Sequence, residues 1–366
     1  MKILYIANIR MPTEKAHGIQ IMKACEAFVT QGHELTLFVP RRKTPIHESP
    51  FVYYGIKSEF PIKRIVTLDI VSWGAFCFII QSIFFAICVR VSLPKYDVLY
   101  GRDEIVLATL ALFGVRRIVW ESHDGSWNAW ARFLSSRMKS LVVVSEGAKQ
   151  LYIKRGVPKE KILVAPNGID IDHFKNSETK EVARRRLGLP FDKKIVMYIG
   201  RLDGWKGVDT LLDASLLILG DIQFVIIGGE PEQVKNFSVT YPHVTFLGHR
   251  PYVELPHNQA AADILIIPNT GKDPISVNFT SPLKLFAHMA SGRPIIASDL
   301  PSIREVAGND VFFVSPDNPK KLAETIQDVF KNYEEILNVS SRAFLRVQNF
   351  SWDMRARKIT EFILTV

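Results

Sequence analysis

Cysteine is scarce in this 366-residue chain. The three present, Cys25, Cys77 and Cys88, show no C-x-x-C and no zinc spacing. That excludes a disulfide scaffold and a zinc module, and fits small apolar packing residues in a reducing compartment. No G-x-G-x-x-G and no G-x-x-x-x-G-K-[ST] occurs, so neither a dinucleotide fingerprint nor a P-loop carries the chemistry. No His/Cys cluster has metal-ligand spacing, and no internal repeat or low-complexity tract appears. At 47% hydrophobic and 23% charged, the composition is that of a globular protein and excludes a disordered one. Met1-Lys2 leads straight into "ILYIAN", an apolar run too short for the core of a secretory signal. A cytoplasmic chain is expected.

Acid is short in one half only. Residues 1–170 hold 23 Lys and Arg against 14 Asp and Glu, whereas residues 171–366 hold 23 of each. The whole net charge of +9 therefore belongs to the N-terminal half, which suggests an acidic partner there. Few aromatics interleave its charge runs, so nucleic acid is not expected. Charge is also absent from "IVSWGAFCFIIQSIFFAICV" (70–89), which has 20 residues. A membrane span would separate the strand at 97–101 from the one at 2–8, although both belong to one sheet. A buried or membrane-surface helix is expected instead. Arg41, Arg42, Lys43, Lys57, Lys63 and Arg64 lie just upstream and favour an anionic membrane surface.

What is present is alternation. "KILYIAN" (2–8), "ELTLFVP" (34–40), "DVLYG" (97–101), "RIVWES" (117–122) and "SLVVVS" (140–145) read as strands buried on both faces, with helical stretches between them. The pattern restarts with "KIVMYIG" (194–200), "IQFVIIGG" (222–229), "VTFLG" (244–248), "DILIIP" (263–268) and "RPIIASD" (293–299). Two series of βα units predict an α/β protein of two doubly wound, Rossmann-like domains. The breakers in "PNGIDIDHF" (166–174) set the seam, giving domains 1–168 and 169–350. The basic helix in 351–366 is expected to pack back on the first domain. Asp170-Ile171-Asp172 spells D-x-D but reads as a solvated loop with Asp172 capping a helix, and no metal is expected.

"GRLDGWKG" (200–207) follows a buried strand and precedes a helix, so Arg201 and Lys206 stand at the carboxyl edge of a sheet. Two cations there suit a diphosphate and the charge on it as it departs. Gly228-Gly229 ends another strand at the same edge, where backbone passes near the donor; alone, the pair is a turn. "TSPLKLFAHMASGRP" (280–294) reads as a helix suited to phosphate. Ser281 is expected to cap it, Pro282 to take the first helical position, Lys284 to add positive charge, and Ser291-Gly292 to end it. No carboxylate stands on that helix.

Four motifs in order, "VAPNGIDIDHF", "YIGRLDGWKGVDTLLDA", "FLGHRPYVELPHNQAAADILIIPN" and "SPLKLFAHMASGRPIIASDLPSIREV", resemble those of GT-B glycosyltransferases of family 4. The resemblance is strongest over 164–306 and weakest over 44–93. It implies two Rossmann-like domains facing across a cleft, with a nucleotide-diphosphate sugar held by the second and an acceptor by the first. It implies retaining transfer without a metal or other cofactor. Arg201 and Lys206 match the pair that binds the donor diphosphate, Gly18 the N-terminal loop glycine near the phosphates, and His123 a histidine near the donor sugar. The backbone of Arg250, Pro251 and Tyr252 matches the segment that receives the base. Thr280, Ser281, Pro282 and Leu283 keep the helix start on which donor phosphate and sugar dock. Many relatives carry two glutamates eight positions apart, the second accepting the ribose hydroxyls. Here those positions are Phe279 and Ala287, so the ribose clamp is missing unless His288 or another group replaces it.

These features predict a hexosyltransferase at the inner membrane face, acting on a lipid-linked or saccharide acceptor in surface polysaccharide or lipopolysaccharide assembly. Two other classes remain open. A nucleotide-sugar 2-epimerase shares the architecture but needs several acids and histidines, where His123, Asp124 and Asp273 are what this chain offers. A non-catalytic subunit would bind a nucleotide sugar or a partner transferase without turnover.

Overall fold

The apolar runs form the strands expected of them, most trimmed by a residue or two. In the N-terminal sheet these are β1 (Lys2–Ile6), β2 (Glu34–Pro40), β3 (Ile62–Ile65), β4 (Val98–Gly101), β5 (Ile118–Ser122), β6 (Ser140–Val143) and β7 (Ile162–Val164). All neighbours pair parallel in the order β3-β2-β1-β4-β5-β6-β7. The second sheet holds β8 (Lys194–Ile199), β9 (Ile222–Ile227), β10 (Thr245–Phe246), β11 (Ile264–Ile267), β12 (Ile295–Ser298) and β13 (Phe312–Val314). It is also all parallel, in the order β10-β9-β8-β11-β12-β13. This computed structural model describes residues 1–202, 204–218 and 220–366, the side chains of 333–335 excepted. Asp203, inside the G-R-L-D-G-W-K-G motif, thus lies outside the described residues.

The chain divides into two units, Met1–Asn167 with Trp352–Val366, and Gly168–Ser351. Each sheet reverses its winding once, between β1 and β4 in the first unit and between β8 and β11 in the second. Ligands of open α/β sheets bind beyond the carboxyl ends of the strands at such a reversal. The C-terminal helix Trp352–Thr365 is tied to the first unit by named bonds. Thr30 Oγ1 donates to Asp353 Oδ1 at 3.0 Å, and Arg355 Nε donates to the Pro166 carbonyl at 3.0 Å.

Three local expectations shift. Ser281 does not occupy the cap position of the helix Leu283–Ala290. Pro282 occupies it instead, with ψ of 113°, so the helix starts one residue later than the Pro-first rule suggests. Pro282 therefore supplies no capping side chain. Asp172 likewise does not cap: it lies inside the first turn of Asp172–Lys175, with Ile171 at the cap, and pairs with Lys175 at 2.7 Å. The uncharged run at 70–89 is interrupted. A short turn, Val71–Trp73, ends at Gly74 and the helix runs Ala75–Val91. Among the described residues, no helix is long and apolar enough to cross a membrane.

Helix Ala75–Val91 buries two polar residues beside Phe85, Ala86 and Val89 and leaves Arg90 exposed. Its polar residues Gln81 and Ser82 are fully buried, where Gln81 Nε2 donates to Asn8 Oδ1 at 3.1 Å and Asn8 Nδ2 donates to Ser82 Oγ at 2.9 Å. Phe76, Ile80, Ile87 and Val91, four, seven and four residues apart, are exposed along one stripe.

Candidate functional site

In the second unit the site grows from the end of β8. Tyr198, buried in that strand, donates its hydroxyl to the Arg201 carbonyl at 2.6 Å, which fixes the start of the loop. Arg201 is exposed and Lys206 half-buried, with Lys206 Nζ 3.4 Å from the centre of the Trp205 ring. Thr270 N donates to the Trp205 carbonyl at 3.2 Å, so this loop lies against the end of β11. Gly228, at the end of β9, has a φ of +127°, and a Cβ there would lie 2.0 Å from the Gly200 carbonyl oxygen. Glycine is required where these two loops pass.

Lys284 belongs to this cluster. Its Nζ lies 4.7 Å from the centre of the Tyr198 ring, is buried, and has no hydrogen-bond partner. Burial first, and then the Lys206 ammonium, hold its pKa well below the ordinary lysine range. The side chain of Asn269, directly after β11, is fully buried with both amide atoms unpartnered. Thr280 and Ser281 are buried, Pro282 is buried beside them, and Leu283 is half-buried. His288 points elsewhere for its bond: its Nδ1 meets Gln259 Nε2 at 2.8 Å, and burial lowers its pKa to about 3. Ala287 is buried in the core of the same unit. Arg250 sits 3.9 Å from Glu254, Pro251 is exposed, and Tyr252 stacks on His173 with ring centres 5.3 Å apart.

In the first unit the carboxyl ends of β1, β4 and β5 gather a different group. Glu121, fully buried on β5, is ion-paired with Arg102 Nη2 at 2.8 Å and Arg355 Nη2 at 3.1 Å, neither in hydrogen-bond geometry, and meets His123 Nε2 at 2.5 Å, while its other oxygen accepts the Tyr100 hydroxyl. The two guanidinium groups hold the carboxyl well below the usual carboxylate range against its burial. Burial first, then Arg102, lowers the His123 pKa to about 4. At neutral pH the His123 ring is therefore neutral. Its proton lies on Nε2, toward Glu121, and Nδ1 carries a lone pair. Arg102 also donates to Gln20 Oε1 at 2.8 Å, reaching the helix that holds His17 and Gly18.

Gly18 has a structural reason to lack a side chain. A Cβ would lie 2.1 Å from the Tyr54 hydroxyl oxygen, and that hydroxyl is clamped by the backbone of Thr13, accepting from its N–H and donating to its carbonyl, both at 2.7 Å. Reasoning from sequence missed Glu121, Arg102, Arg355 and Tyr54. A carboxylate inside the apolar run "RIVWES" was the available signal for the first of them.

Two family models match. Glycosyltransferase Family 4 matches residues 18–173, and Glycosyl transferases group 1 matches residues 193–332. A D-inositol 3-phosphate glycosyltransferase of Corynebacterium efficiens is 28% identical over 220 residues, 55% of this chain and 50% of that protein. The chain thus spans about half the length of the curated relatives it matches. The crystal structure of Anabaena Alr3699/HepE in complex with UDP-glucose superposes over 100% of both chains with a TM-score of 0.78 at 18% identity. The lipopolysaccharide outer core galactosyltransferase WaaB, apo form, does so over 100% of this chain and 99% of its own, with a TM-score of 0.69 at 16% identity. At those identities the likeness is one of fold, that of GT-B glycosyltransferases. With both halves matched in order on two parallel α/β sheets, the chain belongs to the GT-B glycosyltransferases of family 4.

Proposed function

We propose that this chain transfers a sugar, with retention of configuration and without a metal or other cofactor, from a nucleotide-diphosphate sugar to a saccharide or lipid-linked acceptor. The observation that carries this reading is the cation group at the winding reversal of the second sheet. Arg201 and Lys206 follow β8, and the buried Lys284 side chain, lying against Tyr198, has no hydrogen-bond partner among the described residues. Such a group offsets charge on a departing diphosphate. The bond from the anomeric carbon to the diphosphate breaks, and the acceptor oxygen bonds that carbon on the same face. The acceptor proton goes to the leaving phosphate. His123, neutral and fixed by Glu121, serves the transferred sugar through Nδ1. Donor contacts run through the backbone near Gly18, Gly228, Arg250, Pro251, Tyr252 and the 280–283 segment. The Anabaena neighbour is a complex with UDP-glucose, which supports a nucleotide-sugar donor.

The acceptor side belongs to the first unit, at the inner membrane face. Helix Ala75–Val91 buries Gln81 and Ser82 and presents Phe76, Ile80, Ile87 and Val91, with Trp73 77% exposed at its head. The surplus of Lys and Arg in residues 1–170 suits anionic headgroups. Surface glycan assembly is the setting that fits a membrane-borne acceptor. Phosphatidylglycerol vesicles should retain the chain in sedimentation and release the double variant Trp73→Glu, Phe76→Glu. Equal retention of the two would contradict this membrane face.

The activity is tested by incubating the chain with uridine, guanosine and adenosine diphosphate sugars, with and without polyprenyl-diphosphate saccharides and inositol phosphates. Free nucleoside diphosphate released only with an acceptor is the expected result. Interconverted sugars would make the chain an epimerase, and binding without either product a non-catalytic subunit.

A further inference from the structure

A buried ammonium needs a counter-charge, and none is bonded to Lys284 among the described residues. Its Nζ is buried and has no hydrogen-bond partner. Around it stand the Tyr198 ring, the Lys206 ammonium and, one turn along its own helix, His288, whose pKa of about 3 keeps it uncharged. Position 287, one turn away at i+3, is alanine. The loop after β11, which lies against the 205–207 loop, adds a second orphan, Asn269, fully buried with neither amide atom bonded among the described residues. Two desolvated polar groups without partners, at the carboxyl edge of one sheet, mark a place completed by something from outside.

We propose that Lys284 is a third diphosphate-binding cation, buried where Arg201 and Lys206 are not, and that it binds its proton together with the donor. The inference rests on the reading of the second unit as diphosphate-binding. Its reasoning is electrostatic. In the empty site the low-dielectric surroundings and the Lys206 charge favour the neutral amine. A dianionic diphosphate reverses both influences. Between the depressed titration of the empty site and the ordinary lysine range, binding therefore takes up about one proton, and affinity falls as pH rises. The missing acid at position 287 acquires a meaning. A glutamate there would stand one helical turn from Lys284 and keep it charged in the empty site.

The test is isothermal titration of the full chain with uridine, guanosine and adenosine diphosphate and with inorganic pyrophosphate at pH 8, in two buffers of different ionisation enthalpy. For the diphosphate that binds, the enthalpies should differ by about one proton's worth of buffer ionisation. Lys284→Met should abolish that difference and weaken binding by about 10- to 100-fold. Lys284→Arg should bind without proton uptake, because guanidinium stays charged. Ala287→Glu should also bind without uptake, and more tightly. Equal wild-type enthalpies in the two buffers, or undiminished binding by Lys284→Met, would overturn the inference while leaving the diphosphate reading intact. No binding of any diphosphate to the wild type would overturn both. A lower unfolding midpoint for unliganded Lys284→Met would show a structural role for the ammonium and likewise overturn the inference.

Discussion

Two clusters, one in each unit, treat a buried charge in opposite ways. In the first, Glu121 is surrounded by two guanidinium groups, an imidazole and a phenol, so its charge is neutralised inside the fold. In the second, the Lys284 amine is buried beside the Lys206 ammonium and has no hydrogen-bond partner among the described residues. A buried charge with all its partners holds structure together, and a buried charge with none is a place kept for a ligand. Under the proposed reading the first cluster positions and the second binds.

The largest expected effect breaks the neutralised cluster. Glu121→Ala leaves Arg102 and Arg355 buried without their shared acid, and should cost about 3–5 kcal/mol in urea-induced unfolding. A loss near zero would show that water already neutralises those groups. The opposite result is expected for Lys284→Met, whose unliganded stability should match or exceed that of the wild type, because a buried amine with no hydrogen-bond partner among the described residues gives way to an apolar side chain. A comparable loss in both variants would erase the contrast. Next comes Gly18→Ala, expected to cost about 1–3 kcal/mol by driving a methyl group into the Tyr54 hydroxyl. The double variant with Tyr54→Phe should recover part of that cost, whereas strict additivity would place the constraint elsewhere.

A further effect is a pH slope. His288 is held neutral by burial, with a pKa of about 3. A lowered histidine pKa contributes stability that is present above the unfolded value and is lost as pH falls below it, by up to about 1.4 kcal/mol per pH unit. His17 and His123, both at about 4, act in the same direction. His288→Gln should therefore flatten the fall in stability between about pH 6.5 and pH 4.5. An unchanged slope would mean that His288 is accessible to protons in the native state.

Sequence patterning revealed the long buried strands because runs such as "KIVMYIG" carry their own periodicity. It did not reveal β3, β7 or β13. These are edge or near-edge strands of four, three and three residues, and β3 reads Ile-Lys-Arg-Ile. Such short segments become strands by pairing with a neighbour already in place. Arg201 and Lys206 were legible because glycines flank them between a strand and a helix. Lys284 was legible as a charge but not as a buried one, since burial depends on Tyr198, 86 positions earlier. Arg355 was legible only as part of a basic helix. Its partner Glu121 is 234 positions away, and no local rule connects them. The start of helix Leu283–Ala290 was misplaced by one residue because the extended ψ of Pro282, set by its surroundings, decides the cap.

The central claim is that cations at the winding reversal of the second sheet hold a diphosphate. Phosphorus-31 nuclear magnetic resonance of uridine, guanosine and adenosine diphosphates titrated with the full chain tests it most directly. The account predicts that at least one of them shows a displaced β-phosphorus resonance, and that the displacement vanishes in the double variant Arg201→Met, Lys206→Met. An unshifted β-phosphorus for every diphosphate, or an equal shift with the double variant, would contradict it.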